Sequence, residues 1–193
     1  PQRPGRQLRG QTAGIIGYGA IGSYLAGLLQ AVGMEILVHD PFVASDGTNV
    51  TFVDLPELLQ RSDAVFHLAQ AEPATVGLIG TDQLALMKRG AILVNVSRGE
   101  LLDEDAVAQA LDSGQLGGLA MDVGLGPDQR PSMSLANREG VVATPHLGGL
   151  TPENADAQAA SRVEQVEAKM AGLVPPRAEN ENEATRFQAY LGR

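Results

Sequence analysis

The sequence contains no cysteine. That one absence removes disulfide frameworks, thiolate zinc sites and cysteine nucleophiles together. Basic residues are scarce as well: 14 Lys and Arg stand against 23 Asp and Glu, for a formal charge of -9 and a pI near 4.7. A general nucleic-acid binder needs a surface that neutralises phosphates, and so acidic a chain does not supply one. Only Arg3, Arg6 and Arg9 cluster, and among Pro1, Pro4 and Gly5 they read as a solvated tail. No apolar run approaches the ~20 residues of a membrane span. The N-terminal residues show no charged-then-apolar leader pattern. The expectation is a soluble, cytoplasmic protein with no membrane, nucleic-acid or metal partner.

What the chain does have is enough apolar material for one core. Of 193 residues, 44% are hydrophobic and only 19% charged, which fits a folded domain with an appendage. Short apolar runs at Ala13–Gly17, Glu35–His39, Ala64–Leu68, Ala91–Val96, Leu119–Val123 and Val141–Ala143 read as six strands. Between them Ile21–Val32, Leu55–Gln60, Asp82–Lys88 and Glu104–Leu111 read as helices, with Asp54, Thr81 and Asp103 as N-caps and Gly33, Gly90 and Gly114 near the ends. Strictly alternating strands and helices predict a parallel sheet covered by helices through right-handed crossovers. A last helix opens at Thr151-Pro152 and runs to about Met170, before Gly172 and the stop at Pro175-Pro176. Residues 1–11 read as a linker, 12–150 as the sheet domain, and 151–193 as a crossover helix and tail.

The strongest motif is Gly17-Tyr18-Gly19-Ala20-Ile21-Gly22, directly after Gly14-Ile15-Ile16 and opening a helix. Gly17 permits the tight turn, Gly19 lets the backbone approach a pyrophosphate, and Gly22 lets helix and strand pack closely. The helix N-terminus, with Ala20 and Ile21 in its first turn, offers N–H donors to the anion. The second strand ends at Asp40, where a carboxylate can accept ribose hydroxyls and would repel a 2′-phosphate. These features predict a Rossmann-type doubly wound sheet that takes NAD in preference to NADP. S-adenosylmethionine-binding domains share the glycine loop and the acid, so a methyltransferase is a competing reading at this point.

Ligands of such a sheet bind at the carboxyl ends of its strands. Asn95-Val96-Ser97-Arg98, Met121-Asp122 and Thr144-Pro145-His146 bring polar side chains there. Arg98 has a cationic fork suited to a carboxylate. His146 can exchange a proton near neutral pH, as interconversion of an alcohol and a ketone requires. A methyltransferase has no use for either. His67, inside the apolar run Val65-Phe66-His67-Leu68, reads instead as a hydrogen-bonded structural histidine.

At these residues, and at Leu84-Ala85-Leu86-Met87-Lys88 and Arg98-Gly99-Glu100-Leu101-Leu102-Asp103-Glu104, the chain resembles the nucleotide-binding domain of the D-2-hydroxyacid dehydrogenase family. The resemblance runs from Leu8 to about Ala178. It implies that Arg98 binds and polarises a 2-oxo acid, that His146 is the acid/base, and that Asp122 holds the nicotinamide carboxamide. Val96, Ser97 and Gly148 would complete the cofactor site, and two chains would pair as a dimer through this nucleotide-binding domain.

Three departures weigh against full activity. The family's glutamate partner of the histidine is replaced by Pro127, with Asp128 next to it. Ala20 stands where a basic residue is common. Only Pro1 to Gln11 precede the first strand, where the family has most of a substrate domain. The leading reading is an NAD-dependent oxidoreductase acting on a small 2-hydroxy acid; the alternative is a non-catalytic, dimerising NAD-binding module.

Overall fold

The alternation of strands and helices folds as the periodicity requires. The computed structural model describes residues 5–43 and 49–175. In chain order it contains β1 (Thr12–Ile16), α1 (Ala20–Ala31), β2 (Glu35–His39), β3 (Thr51–Phe52), α2 (Leu55–Arg61), β4 (Ala64–His67), α3 (Thr81–Leu86), β5 (Ala91–Asn95), α4 (Glu104–Asp112), β6 (Leu116–Met121), α5 (Met133–Ala136), β7 (Val141–Ala143) and α6 (Pro152–Met170). The seven strands form one sheet in the order β3-β2-β1-β4-β5-β6-β7, and every pairing is parallel. The sequence signals six of them; β3 has two residues, too few to carry a period.

The order reverses beside β1, and the reversal puts helices on both faces. The chain moves outward from β1 to β2 through α1, then returns past β1 to β4 through α2. With right-handed crossovers those two directions use opposite faces. Accordingly Ala26 of α1 packs with Ala13, Ile15, Ile36 and Val38. Leu58 and Leu59 of α2 join Leu84, Val107, Ala110 and Leu135, from α3, α4 and α5, in the larger cluster on the other face.

Local chemistry sets the helix starts. Asp54 accepts the Glu57 N–H (2.8 Å), and Asp103 accepts those of Asp105 and Ala106 (3.1 and 3.0 Å), as N-caps do. At α3 the cap is Gly80 and not Thr81, and its N–H donates to Gln83 Oε1 (3.3 Å).

The described residues divide into two units, one ending at His146 and one beginning at Leu147. In the second unit Thr151 caps α6 through the Asn154 N–H (3.1 Å). Val163, Val166, Met170 and Leu173 lie exposed there. Among the described residues no helix is long and apolar enough to cross a membrane. The predicted polar tail after Pro175 lies outside the described residues.

Candidate functional site

The reversal point beside β1 opens at the carboxyl edge of the sheet, and the glycine loop lies there. Gly17 donates its N–H to His39 O (2.9 Å) and sits at φ +95°, a left-handed region where a side chain would be strained. A Cβ on Gly17 would also fall 2.6 Å from Ala69 N, and one on Gly22 would fall 2.2 Å from Gly17 O. Both glycines are therefore required by packing alone. Gly19 differs: nothing lies within 4 Å of where its Cβ would be. It caps α1 without a side-chain hydrogen bond, and no acidic residue occupies the first turn. An open approach to unshielded N–H groups fits a pyrophosphate at Gly19, Ala20 and Ile21.

Asp40 makes two main-chain contacts. Oδ2 accepts the Tyr18 N–H (2.8 Å) and Oδ1 the Phe42 N–H (2.9 Å), so the carboxylate braces the loop it follows. Two oxygens offer about four lone-pair positions, which leaves acceptor capacity for ribose hydroxyls.

Main-chain bonds continue past β5, β6 and β7 and hold their polar ends together. Asp122 N–H donates to Asn95 O (3.2 Å) and Thr144 N–H to Met121 O (3.0 Å). Thr144 Oγ1 donates to Asp122 Oδ1. Ser97 Oγ donates to Ala69 O (2.6 Å), tying this end to the strand beside the glycine loop. Asn95 is fully buried: its Nδ2 donates to Arg98 O (2.8 Å) and its Oδ1 accepts the Ser97 N–H (3.2 Å). Sequence reasoning counts Asn95 and Thr144 among the polar strand ends without giving them these roles.

Arg98 is exposed, and its guanidinium donates to Ser97 O (2.7 Å). No carboxylate pairs with it among the described residues. The bland explanation of an exposed arginine, a surface ion pair, therefore does not hold for it. Behind it the loop from Gly124 to Pro131 packs closely, since a Cβ on Gly99 would lie 2.2 Å from the Gly124 carbonyl carbon. That loop reaches His146: its Nδ1 lies 3.2 Å from Asp128 O. The Asp128 carboxylate turns toward Arg130 (3.9 Å) and is 81% exposed.

Thus Gly17, Gly19, Ala20, Ile21, Gly22, Asp40, Val96, Ser97, Arg98, Asp122 and His146 all fall at the carboxyl edge of the first unit. Gly148 belongs to the second unit, in the turn closed by Leu150 N–H on Leu147 O (2.9 Å).

His67 corrects the sequence reading. It is fully buried at the end of β4, beside Ile16 and Asn95, and neither ring nitrogen has a hydrogen-bond partner among the described residues. Burial lowers its pKa from 6.5 to about 4, so it is neutral at physiological pH.

The chain is similar to known proteins over most of its length. Residues 1–148 match the family model described as D-isomer specific 2-hydroxyacid dehydrogenase, NAD binding domain. D-3-phosphoglycerate dehydrogenase of Synechocystis sp. is 36% identical over 172 residues, covering 88% of this chain and 31% of that protein. Glycerate dehydrogenase of Methylorubrum extorquens is 38% identical over 167 residues, covering 86% and 52%. A glyoxylate reductase structure from Paecilomyes thermophila superposes with a TM-score of 0.81 at 30% identity, covering 86% of this chain and 51% of that one. The chain thus spans about a third to a half of the length of these relatives. It belongs to the D-isomer specific 2-hydroxyacid dehydrogenase family, of which it carries the NAD-binding domain.

Proposed function

We propose that this chain is the cofactor-binding half of an oxidoreductase that acts on the CH–OH group of a small 2-hydroxy acid. The observation that carries this reading is Arg98, an exposed guanidinium without a carboxylate partner, on the same sheet edge as the glycine loop and His146. Gly17, Gly19, Ala20, Ile21 and Gly22 hold the pyrophosphate and Asp40 the adenosine ribose. Val96, Ser97 and Asp122 hold the nicotinamide end. When bound, NAD supplies the hydride acceptor and NADH the donor. Arg98 grips the carboxylate of the acid with two parallel N–H donors and polarises the adjacent carbonyl. His146 delivers or removes the hydroxyl proton. The Thr144 hydroxyl holds the Asp122 carboxylate in place at the nicotinamide.

Because the chain lacks tryptophan, NADH binding is followed by direct excitation of the nicotinamide, and turnover with glyoxylate, pyruvate and hydroxypyruvate. Arg98→Ala and His146→Ala should each bind NADH as the parent does, and His146→Ala should lose ~10²–10⁴ of kcat. Tight NADH binding with no turnover by the parent would leave the second reading, a non-catalytic NAD-binding module. Pro127 favours that one, because it puts no carboxylate at the family's glutamate position. In either case we place the protein in the cytoplasm as a homodimer. The match of residues 1–148 to the family's NAD-binding domain supports pairing through that domain, and light scattering that returns a monomer would refute it.

A further inference from the structure

Among the described residues, only three that are not glycine have positive φ: Asp128 (56°), Gln129 (58°) and His146 (60°). Two of them meet at one contact, the approach of His146 Nδ1 to the Asp128 main-chain oxygen at 3.2 Å, and Gln129 is the next residue along the chain. Left-handed backbone is strained for a residue with a Cβ, and such strain persists only where the surroundings impose it.

The surroundings here are the loop's own main chain. Gly124 N–H donates to Gln129 O (2.9 Å), Gly126 N–H to Arg130 O (2.9 Å) and Arg130 N–H to Pro127 O (3.1 Å). Leu125 N–H donates to Glu104 Oε1 (3.3 Å) and anchors the ring to α4. On the other side of the contact His146 N–H donates to Thr144 O (2.9 Å). The two strained segments thereby hold an imidazole nitrogen and a carbonyl oxygen within bonding distance, while the Asp128 carboxylate faces Arg130 and solvent.

We infer that the Asp128 main-chain carbonyl is the positioning group for His146, taking the place that a side-chain carboxylate would hold. A carbonyl can only accept, so Nδ1 must carry the proton, and the lone pair that exchanges protons is on Nε2. The side chain at 128 is then dispensable, and the left-handed backbone is not. This rests on the reading of His146 as the acid/base, but its test needs neither cofactor nor turnover.

The test is the nitrogen spectrum of the imidazole rings in the full chain, whose three histidines, His39, His67 and His146, are assigned by single substitutions. At a pH where His146 is neutral, its Nδ1 should show the protonated signature and its Nε2 the lone-pair signature. Asp128→Asn and Asp128→Gly keep the carbonyl and tolerate the conformation, so both should retain that pattern. Asp128→Pro cannot adopt φ near +56° and should lose it, giving averaged ring signals. A protonated Nε2 or averaged signals in the parent would overturn the proposal, as would loss of the pattern in Asp128→Asn, which would assign the role to the carboxylate. An NADH-binding failure with the Nδ1–H pattern intact would sink the enzymatic reading and leave this one standing.

Discussion

The two edges of the sheet share one backbone and are finished differently. At the amino edge, four helix-to-strand turns close on left-handed glycines: Gly33 before β2, Gly90 before β5, Gly114 before β6 and Gly140 before β7. The turn into β4 has no glycine and holds Asp63, whose carboxylate accepts the Thr12 N–H and the Lys88 ammonium, both at 2.9 Å. Burial pushes the Asp63 carboxyl up, but the Thr12 bond, Lys88 and the charge of Arg6 outweigh it and hold the pKa below its ordinary value. At the carboxyl edge, left-handed backbone falls on Asp128, Gln129 and His146 as well as on Gly17. Among the described residues Arg98 has no carboxylate partner, and His67 is buried without a hydrogen-bond partner. One edge puts its left-handed backbone on glycines alone; the other puts it on residues with a Cβ as well. Stability is concentrated where no ligand binds, and the departures from local optimality collect where one does.

The largest effect should come from tightening the carboxyl edge at its closest approach. Gly22→Ala places a methyl 2.2 Å from Gly17 O, a backbone atom that cannot swing away. We expect a loss of about 3 kcal/mol in denaturant unfolding together with loss of NADH binding, since the loop must move for the methyl to fit. An alanine variant that unfolds and binds like the parent would show that the loop is looser than its geometry.

Next in size is the acid response of His67. Its pKa is about 4 in the folded chain against 6.5 when exposed, so between these values the unfolded state binds the proton and the folded state does not. Stability therefore falls as pH drops from about 6.5 toward 4, by up to ~3 kcal/mol. Asp63 works in a separate window. Its contribution is present above 3.8 and is lost only as pH falls through its lower folded value. His67→Leu should flatten the acid slope between pH 6.5 and 4 whatever its effect at neutrality, read by urea midpoints across that range. An unchanged slope would mean that His67 is hydrated or paired in solution.

How much of this is visible in the sequence follows from how local each feature is. The α6 limits, Pro152–Met170, match expectation because an N-cap, an N1 proline and a closing glycine are all consecutive signals. Asp54 and Asp103 cap as their positions suggest. The glycine loop and the polar strand ends are also readable, because strand, turn and helix follow within a few residues. The cap of α3 is missed at Gly80, which bonds through its backbone and leaves no side-chain mark. The four-residue helix Met133–Ala136 is too short for a period. The two facts about histidines are tertiary. His67 lacks a partner because of what Ile16 and Asn95 do on either side. His146 has one in a main-chain carbonyl, which any residue type carries.

The smallest effect is the sharpest test of the contrast, because it concerns backbone alone. Gln129→Gly removes left-handed strain at φ 58°, a gain of about 1–2 kcal/mol. It also adds unfolded-state freedom worth about 0.4–1 kcal/mol. The net expectation is a stabilisation of roughly 0.5 kcal/mol. Gly114→Ala runs the other way. Its φ is +68° and the nearest atom to the new methyl is Arg89 Nη2 at 3.6 Å, so conformation and not collision decides, and a loss of similar size is expected. Urea midpoints of the two variants should move apart on either side of the parent. If the Gln129→Gly midpoint did not rise, the carboxyl edge would not be holding strain at that residue. The same Gln129→Gly chain should keep the Nδ1–H form of His146, because glycine tolerates φ 58° and leaves the Asp128 carbonyl in place.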